Sequence, residues 1–205
     1  MQQHNSMNTS YRAILDLATE RGLIRPCDIK KRGLPTVALT RMVRDGLLQR
    51  VGRGLYATPD RPVSQFGALA ELALKHPGVV ICLLSALRLH NLTTQSPFEL
   101  WVAIPNKARA PKSDYPPLRV VRFCGPALTE GIEEQIVDGV PIRVTNIART
   151  VVDCFKFRNK IGLDVALEAL QEAWRAKRVT MDELWHHATL CRVANVMRPY
   201  LESLT

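Results

Sequence analysis

The 205-residue chain lacks the signals that would direct it into or across a membrane. Its first six residues contain neither a basic stretch nor an apolar stretch, so we expect no signal peptide. No apolar run approaches the length of a membrane span. The sequence therefore predicts a soluble, cytoplasmic protein without a membrane partner.

Cysteine is present but not in a pattern that would hold a metal. The five cysteines are odd in number and widely spaced, and no zinc-site spacing occurs among them. Three lie inside apolar runs, as expected for buried free thiols in a reducing compartment.

The motifs of common enzymes are also missing. The chain has no Glu-x-Lys or Asp-x-Asp pattern, no Walker A sequence, no glycine-rich nucleotide fingerprint and no serine-centred elbow. His186 and His187 are adjacent on a predicted helix, so their side chains would point about 100° apart and make a poor metal pair. We therefore expect no catalytic residues, no metal and no cofactor.

Acidic residues are scarcer than basic ones. The 28 Lys and Arg residues against 19 Asp and Glu residues give a net charge of +9 and a pI near 9.7, which indicates a polyanionic partner or a negatively charged surface. Residues 1–62 contain 11 basic and five acidic residues, a net +6, so the excess is concentrated at the N-terminus.

Cap and turn residues predict three short helices in the N-terminal segment. Ser10 can cap the first helix, which Gly22 ends in a left-handed conformation. Pro26 begins the second helix, which Gly33 ends, and Pro35 begins the third.

The third predicted helix, over residues 35–46, has two different faces. A rotation of about 100° per residue places Leu39 and Met42 on one face, as expected for a core contact. The opposite face carries hydroxyl and guanidinium groups, which can reach base edges and phosphates in a major groove. The DNA-binding residues expected on this helix are Thr36, Val37, Thr40, Arg41 and Arg44.

A β-hairpin is predicted to follow, with a tight turn at Gly52-Arg53-Gly54. Arg50 and Arg53 would then point toward a phosphate or a minor groove. Helices and hairpin together predict a winged helix-turn-helix DNA-binding domain over residues 9–60, preceded by a disordered tail at residues 1–8. The alternative is a packing module whose arginines are merely solvated.

Three sequence motifs resemble a known family. The first is Gly46-Leu-Leu-Gln-Arg-Val-Gly-Arg-Gly-Leu-Tyr56, the second Val79-Val-Ile-Cys-Leu-Leu-Ser-Ala-Leu87, and the third Thr145-Asn-Ile-Ala-Arg-Thr-Val-Val-Asp153. Over roughly residues 9–180 the chain is similar to the AbiEi family of antitoxins and transcriptional repressors from abortive-infection toxin–antitoxin systems.

The resemblance implies a bacterial protein of phage defence. Such a protein would bind double-stranded DNA at promoter repeats, repress transcription of its own toxin–antitoxin operon and act as the antitoxin. Its functional partner would be a nucleotidyltransferase-like toxin, counteracted without a stable complex between the two proteins.

Residues 63–205 are predicted to form the C-terminal antitoxin domain, so that the whole chain is α+β: a small sheet is followed by C-terminal helices. The expected strands lie at 79–83, 98–104, 118–123 and 136–144, the last turning at Asp138-Gly139. Lys107, Arg109 and Lys112 occupy a proline-rich loop that would either be solvated or touch DNA.

Arg149 and Asp153 lie four residues apart on a predicted helix, so they share a face and can form an ion pair. The residues leave two interpretations open. The pair is either structural or, as the family motif suggests, part of a surface that mediates antitoxin action.

Two functions of different classes remain. The first is a DNA-binding repressor with an antitoxin domain, and the second is a nuclease-like enzyme that the winged helix directs to DNA. One winged helix covers only a few base pairs, so useful specificity requires two copies on repeated half-sites. Two monomers, or a weak dimer, paired on DNA would meet this requirement.

Overall fold

The computed structural model describes residues 2–52, 54–61, 64–95, 97–113 and 116–204, with side chains from residue 9 onward. The chain is α+β, with helices accompanying a two-stranded and a five-stranded sheet. It divides into two compact units. The first contains the residues up to Lys75 together with Ile136–Pro141, and the second contains His76–Gln135 and the residues from Ile142 onward. The first unit thus extends past the predicted boundary at 60–63.

The first unit begins with α1 (Gln2–Arg21), α2 (Pro26–Lys31) and α3 (Val37–Arg44). A glycine with positive φ follows each helix within two residues, at Gly22, Gly33 and Gly46. Because glycine has no Cβ, it adopts this left-handed conformation without steric cost and lets the chain leave the helix.

The start of α1 differs from the prediction. We expected a disordered tail at residues 1–8 and a helix capped by Ser10, whereas the helix begins at Gln2. No proline or glycine occurs between Gln2 and Arg21, so no residue in this stretch forces the helix to stop.

Helices α1, α2 and α3 share an apolar core with a hairpin. The hairpin consists of β1 (Gln49–Gly52) and β2 (Leu55–Ala57), which pair antiparallel. Ile24 forms a further antiparallel bridge to Tyr56, in which each backbone nitrogen donates to the carbonyl oxygen of the other residue, at 2.9 and 3.0 Å. α4 (Gly67–Lys75) completes this part of the chain. The core side chains are Ile14, Leu17, Ala18, Ile24, Ile29, Ala38, Leu39, Met42 and Leu48.

The second unit contains most of a five-stranded sheet. Its strands are β3 (Val80–Ile81), β4 (Leu100–Pro105), β5 (Leu118–Phe123), β6 (Ile132–Val137) and β7 (Val140–Thr145), in the order β5-β4-β3-β7-β6. β3 runs antiparallel to β4 and parallel to β7, and β4 runs parallel to β5.

Strand β4 does not show the alternation that the sequence predicted from Phe98 onward. Phe98 precedes the strand and is 75% exposed, whereas the four consecutive residues from Trp101 to Ile104 are all buried. Burial of successive residues requires cover on both faces, so this interior strand has a continuous apolar sequence.

The helices of the second unit pack around α6 (Ile147–Lys156). The others are α5 (Leu83–Leu89), α7 (Arg158–Ile161), α8 (Leu163–Arg175), α9 (Met181–Leu190) and α10 (Ala194–Glu202). α5, α8, α9 and α10 all contact α6, and every residue of α6 from Ala148 to Phe155 is buried.

The turn between β6 and β7 belongs to the first unit. Asp138 and Gly139 have φ values of +51° and +75°, which are the left-handed values of the two-residue turn expected for Asp-Gly. A Cβ atom on Gly139 would collide with the carbonyl oxygen of Arg21, so the backbones approach too closely for any other residue. Beside this contact, the Arg61 guanidinium lies 2.6 Å from the Asp138 carboxylate.

Candidate nucleic-acid interface

The N-terminus of α2 is held by Arg25 and Asp28. The Arg25 backbone nitrogen and Nε donate to Asp28 Oδ2 at 3.0 and 3.1 Å, and its terminal nitrogen donates to the Leu74 carbonyl oxygen at 3.1 Å. Burial by itself would raise the pKa of Asp28, but the hydrogen bonds and charge of Arg25 outweigh it and lower that pKa. α2 is thereby anchored to α4 within the first unit.

A tight turn joins α2 to α3. The backbone nitrogens of Gly33 and Leu34 donate to the carbonyl oxygens of Lys30 and Ile29, at 3.0 and 3.1 Å. These bonds close the end of α2 and begin the turn that redirects the chain into α3.

α3 has the two faces that the sequence predicted. Ala38, Leu39 and Met42 are buried in the core of the first unit. The residues expected to contact DNA are all exposed, and Val37 retains 63% of its accessible surface. Arg44 Nε lies 3.2 Å from Asp45 Oδ1 in an exposed ion pair. The exposed set comprises Thr36, Val37, Thr40, Arg41 and Arg44.

The hairpin after α3 carries the next predicted contact. Arg50 is exposed on β1, and its Nε donates to the Gly52 carbonyl oxygen at 3.3 Å. Arg53 lies outside the described residues, so its predicted role stays a prediction. The pairing of β1 with β2 is irregular between Arg50 and Gly52, next to the predicted turn.

Three further basic side chains lie beside the predicted set. Lys30, Lys31 and Arg32 are exposed at the end of α2, immediately before the turn into α3. The predicted site omitted them, although three consecutive basic residues ahead of a turn glycine are visible in the sequence. The first helix of a helix-turn-helix crosses the DNA backbone, where such charges would meet phosphates.

The basic loop of the second unit is organised by Arg122. Its guanidinium donates to the carbonyl oxygens of Pro105, Asn106 and Ala108 at 2.6 to 3.2 Å. Lys107, Arg109 and Lys112 are exposed, which both interpretations of this loop require.

Arg149 and Asp153 form the predicted ion pair, but not on a surface. Both side chains are 0% exposed, and Arg149 Nε lies 3.0 Å from Asp153 Oδ1. The two terminal guanidinium nitrogens donate to the carbonyl oxygens of Glu130 and Ala127, and the guanidinium lies over the Phe123 ring. The suggestion of an antitoxin surface at this pair is therefore wrong, because α6 is enclosed by the other helices.

The three cysteines that lie in apolar runs of the sequence are buried, as predicted. Cys82, Cys154 and Cys191 are buried free thiols, and burial raises the pKa of each, that of Cys191 to about 12. Within the described part of the chain, no group of three or more His, Cys, Asp or Glu side chains is placed to hold a metal ion. None of the described helices is both long enough and apolar enough to span a membrane.

Two comparisons with known proteins found a similarity, one in the fold of most of the chain and one in the sequence of its N-terminal segment. The chain is similar in fold to the crystal structure of the RV2827C protein from Mycobacterium tuberculosis, with a TM-score of 0.54 and 14% identity. The similarity covers 96% of this chain and 80% of the other. No curated protein matches. Residues 12–59, which carry the second half of α1 and continue through the hairpin, match the family of AbiEi antitoxin transcriptional regulators, and this confirms the expected resemblance for that segment.

Proposed function

We propose that this chain is a sequence-specific DNA-binding transcriptional regulator. In this proposal residues 9–60 form a winged helix-turn-helix in which α3 enters the major groove and the hairpin is the wing. The match of residues 12–59 to antitoxin transcriptional regulators supports this assignment.

The observation that carries the proposal is the exposed face of α3. The helix buries Ala38, Leu39 and Met42 in the core, and it leaves two arginines, Thr40 and the N-cap residue Thr36 in solvent. These hydroxyl and guanidinium groups are the kind that recognise bases and phosphates. The antiparallel bridge from Ile24 to Tyr56 supports the wing, because it ties the hairpin to the segment between α1 and α2.

We further propose that the chain represses its own operon and serves there as the antitoxin against a nucleotidyltransferase-like toxin. The support is the family description and the charge of +6 in the first 62 residues, which suits a promoter-binding segment. Two copies would bind repeated half-sites, since one α3 can read only a few base pairs.

The proposal is tested by binding of the purified full chain to the DNA upstream of its own gene. We expect a footprint on repeated sequences and an affinity at physiological salt about 10³-fold or more above that for a scrambled duplex. Equal affinity for both duplexes would refute sequence-specific binding. Incubation of the same duplexes with Mg²⁺ addresses the alternative function, because metal-dependent cleavage would favour the DNA-directed enzyme.

A further inference from the structure

One aliphatic side chain lies on the otherwise polar face of α3. Val37 is the first residue of the helix and is 63% exposed, whereas the next two residues, Ala38 and Leu39, are buried. The other exposed residues of α3 end in hydroxyl or guanidinium groups. Among the exposed residues of α3, Val37 is therefore the only one whose side chain is wholly apolar.

The major groove contains one apolar group that such a side chain can recognise. Thymine presents a methyl group at C5, which cytosine lacks, and this methyl is read through apolar contact. Valine suits the contact because a β-branched side chain in a helix holds one strongly preferred χ1 rotamer. Its two methyl groups thus keep a fixed direction, and little rotamer freedom is lost when DNA binds.

The position of Val37 fits the same contact. Residues near the N-terminus of a recognition helix are those that meet base edges. Val37 opens α3, and Thr40 and Arg41 follow it on the same exposed face, one turn along the helix. If Val37 contacts a base, Thr40 and Arg41 would therefore be able to reach the adjacent bases or phosphates.

We propose that Val37 contacts the C5 methyl group of a thymine and thereby selects thymine at one position of each half-site. This inference rests on the proposed function, because only insertion of α3 into the major groove brings Val37 to a base edge.

The test compares two duplexes that differ only in this methyl group. One is the fragment upstream of the gene, and the other has the same sequence with deoxyuridine in place of every thymidine. Loss of one buried methyl contact is expected to raise the Kd of the wild-type chain about threefold to fivefold. Val37→Ala should bind the thymidine duplex more weakly by a similar factor and should bind both duplexes equally.

Two matched variants separate Val37 from the threonines, which also carry a methyl group. Thr36→Ser and Thr40→Ser remove that methyl and keep the hydroxyl, and both should retain the full response to deoxyuridine. The inference is overturned if Val37→Ala still discriminates between the duplexes, if a serine variant loses the discrimination, or if the wild-type chain shows none. Failure of the wild-type chain to bind either duplex would instead refute the proposed function.

Because Val37 is exposed and alanine is the better helix former, Val37→Ala should fold as the wild-type chain does. Equal thermal unfolding midpoints for the two proteins verify this before the binding comparison.

Discussion

At the residue scale, the arginines of this chain occupy opposite environments. The Arg44 side chain is 77% exposed on α3, whereas that of Arg149 is fully buried on α6. An exposed guanidinium can exchange water for a phosphate or a guanine, while a buried one is committed to its protein partners. Substitution of the first should therefore change DNA binding, and substitution of the second should change stability.

Arg44→Ala and Arg41→Ala should each weaken specific DNA binding by about 1 to 3 kcal/mol if the guanidinium contacts a guanine edge. Titration of the upstream duplex measures the effect. Arg175→Ala is the matched control, because it removes the same charge from an exposed position on α8 in the second unit. Full affinity in both α3 variants would contradict the recognition-helix assignment.

Arg149→Met should lower the free energy of unfolding by about 3 to 5 kcal/mol, since it leaves the buried Asp153 carboxylate without its cation. Urea denaturation measures the change. Arg175→Met breaks an exposed pair with Glu172 and should cost less than about 1 kcal/mol. Equal stability of the two variants would show that the buried pair has no special role.

The stability of the second unit should fall as the pH is lowered from about 7 to 5. His90 is buried with its Nε2 at 2.7 Å from the Thr145 carbonyl oxygen, and burial lowers the pKa of this imidazole. The unfolded chain then binds the proton at a higher pH than the folded one, so protonation below about pH 6.5 favours unfolding.

Denaturation at several pH values measures this slope, and His90→Gln should reduce it. The reduction should be partial, because burial also lowers the pKa of His187 in the same unit. An unchanged slope in His90→Gln would exclude His90 as a source of the acid sensitivity.

At the scale of single elements, short-range chemistry was a reliable guide. Local residues account for the bounds of α2 and for the strand Leu118–Phe123. They also account for the start of α9, where the sequence Thr180-Met-Asp-Glu183 is that of a capping box and Thr180 and Glu183 exchange its two hydrogen bonds. The cap of α6 shows the limit of local signals. From sequence alone Thr145 is a suitable cap for this helix, but Thr145 is the last residue of β7. The cap is instead Asn146, whose side chain accepts a hydrogen bond from the Arg149 backbone nitrogen.

Gly139→Ala should destabilise the first unit more than Gly33→Ala. Both glycines have φ near +70°, so alanine is strained at either position by about 1 to 2 kcal/mol. A Cβ atom at Gly33 meets open space, whereas one at Gly139 would collide with the Arg21 carbonyl. Thermal unfolding of the two variants isolates the cost of the collision, and equal losses would show that the close approach is not required.

At the scale of the whole molecule, charge is distributed unevenly. Two thirds of the net charge of +9 lies in residues 1–62, with exposed arginines on α3 and on the hairpin. Binding to a polyanion releases condensed counterions in proportion to the phosphates neutralised. The affinity for DNA of any sequence should therefore depend on salt through this part of the chain.

The double variant Arg50→Ala/Arg53→Ala should weaken binding to specific and scrambled duplexes alike. If each arginine meets one phosphate, the slope of log K against log salt should decrease in magnitude by about 1.8. Arg175→Ala/Arg198→Ala removes two charges from exposed positions on α8 and α10 and serves as the control. A slope equal to that of the wild-type chain would argue against a wing–phosphate contact.

The sequence by itself determined the features that depend on near neighbours: the short helices ended by glycines, the two faces of α3, and the spacing that pairs Arg149 with Asp153. Only the tertiary structure decided which of those features meet solvent. The i to i+4 spacing fixes that two side chains share a helix face, but burial depends on the helices that cover that face, and these come from distant parts of the chain. For the same reason the bridge of Ile24 to Tyr56 and the close approach of Gly139 to Arg21 had no local signal, because both join segments that only the fold brings together.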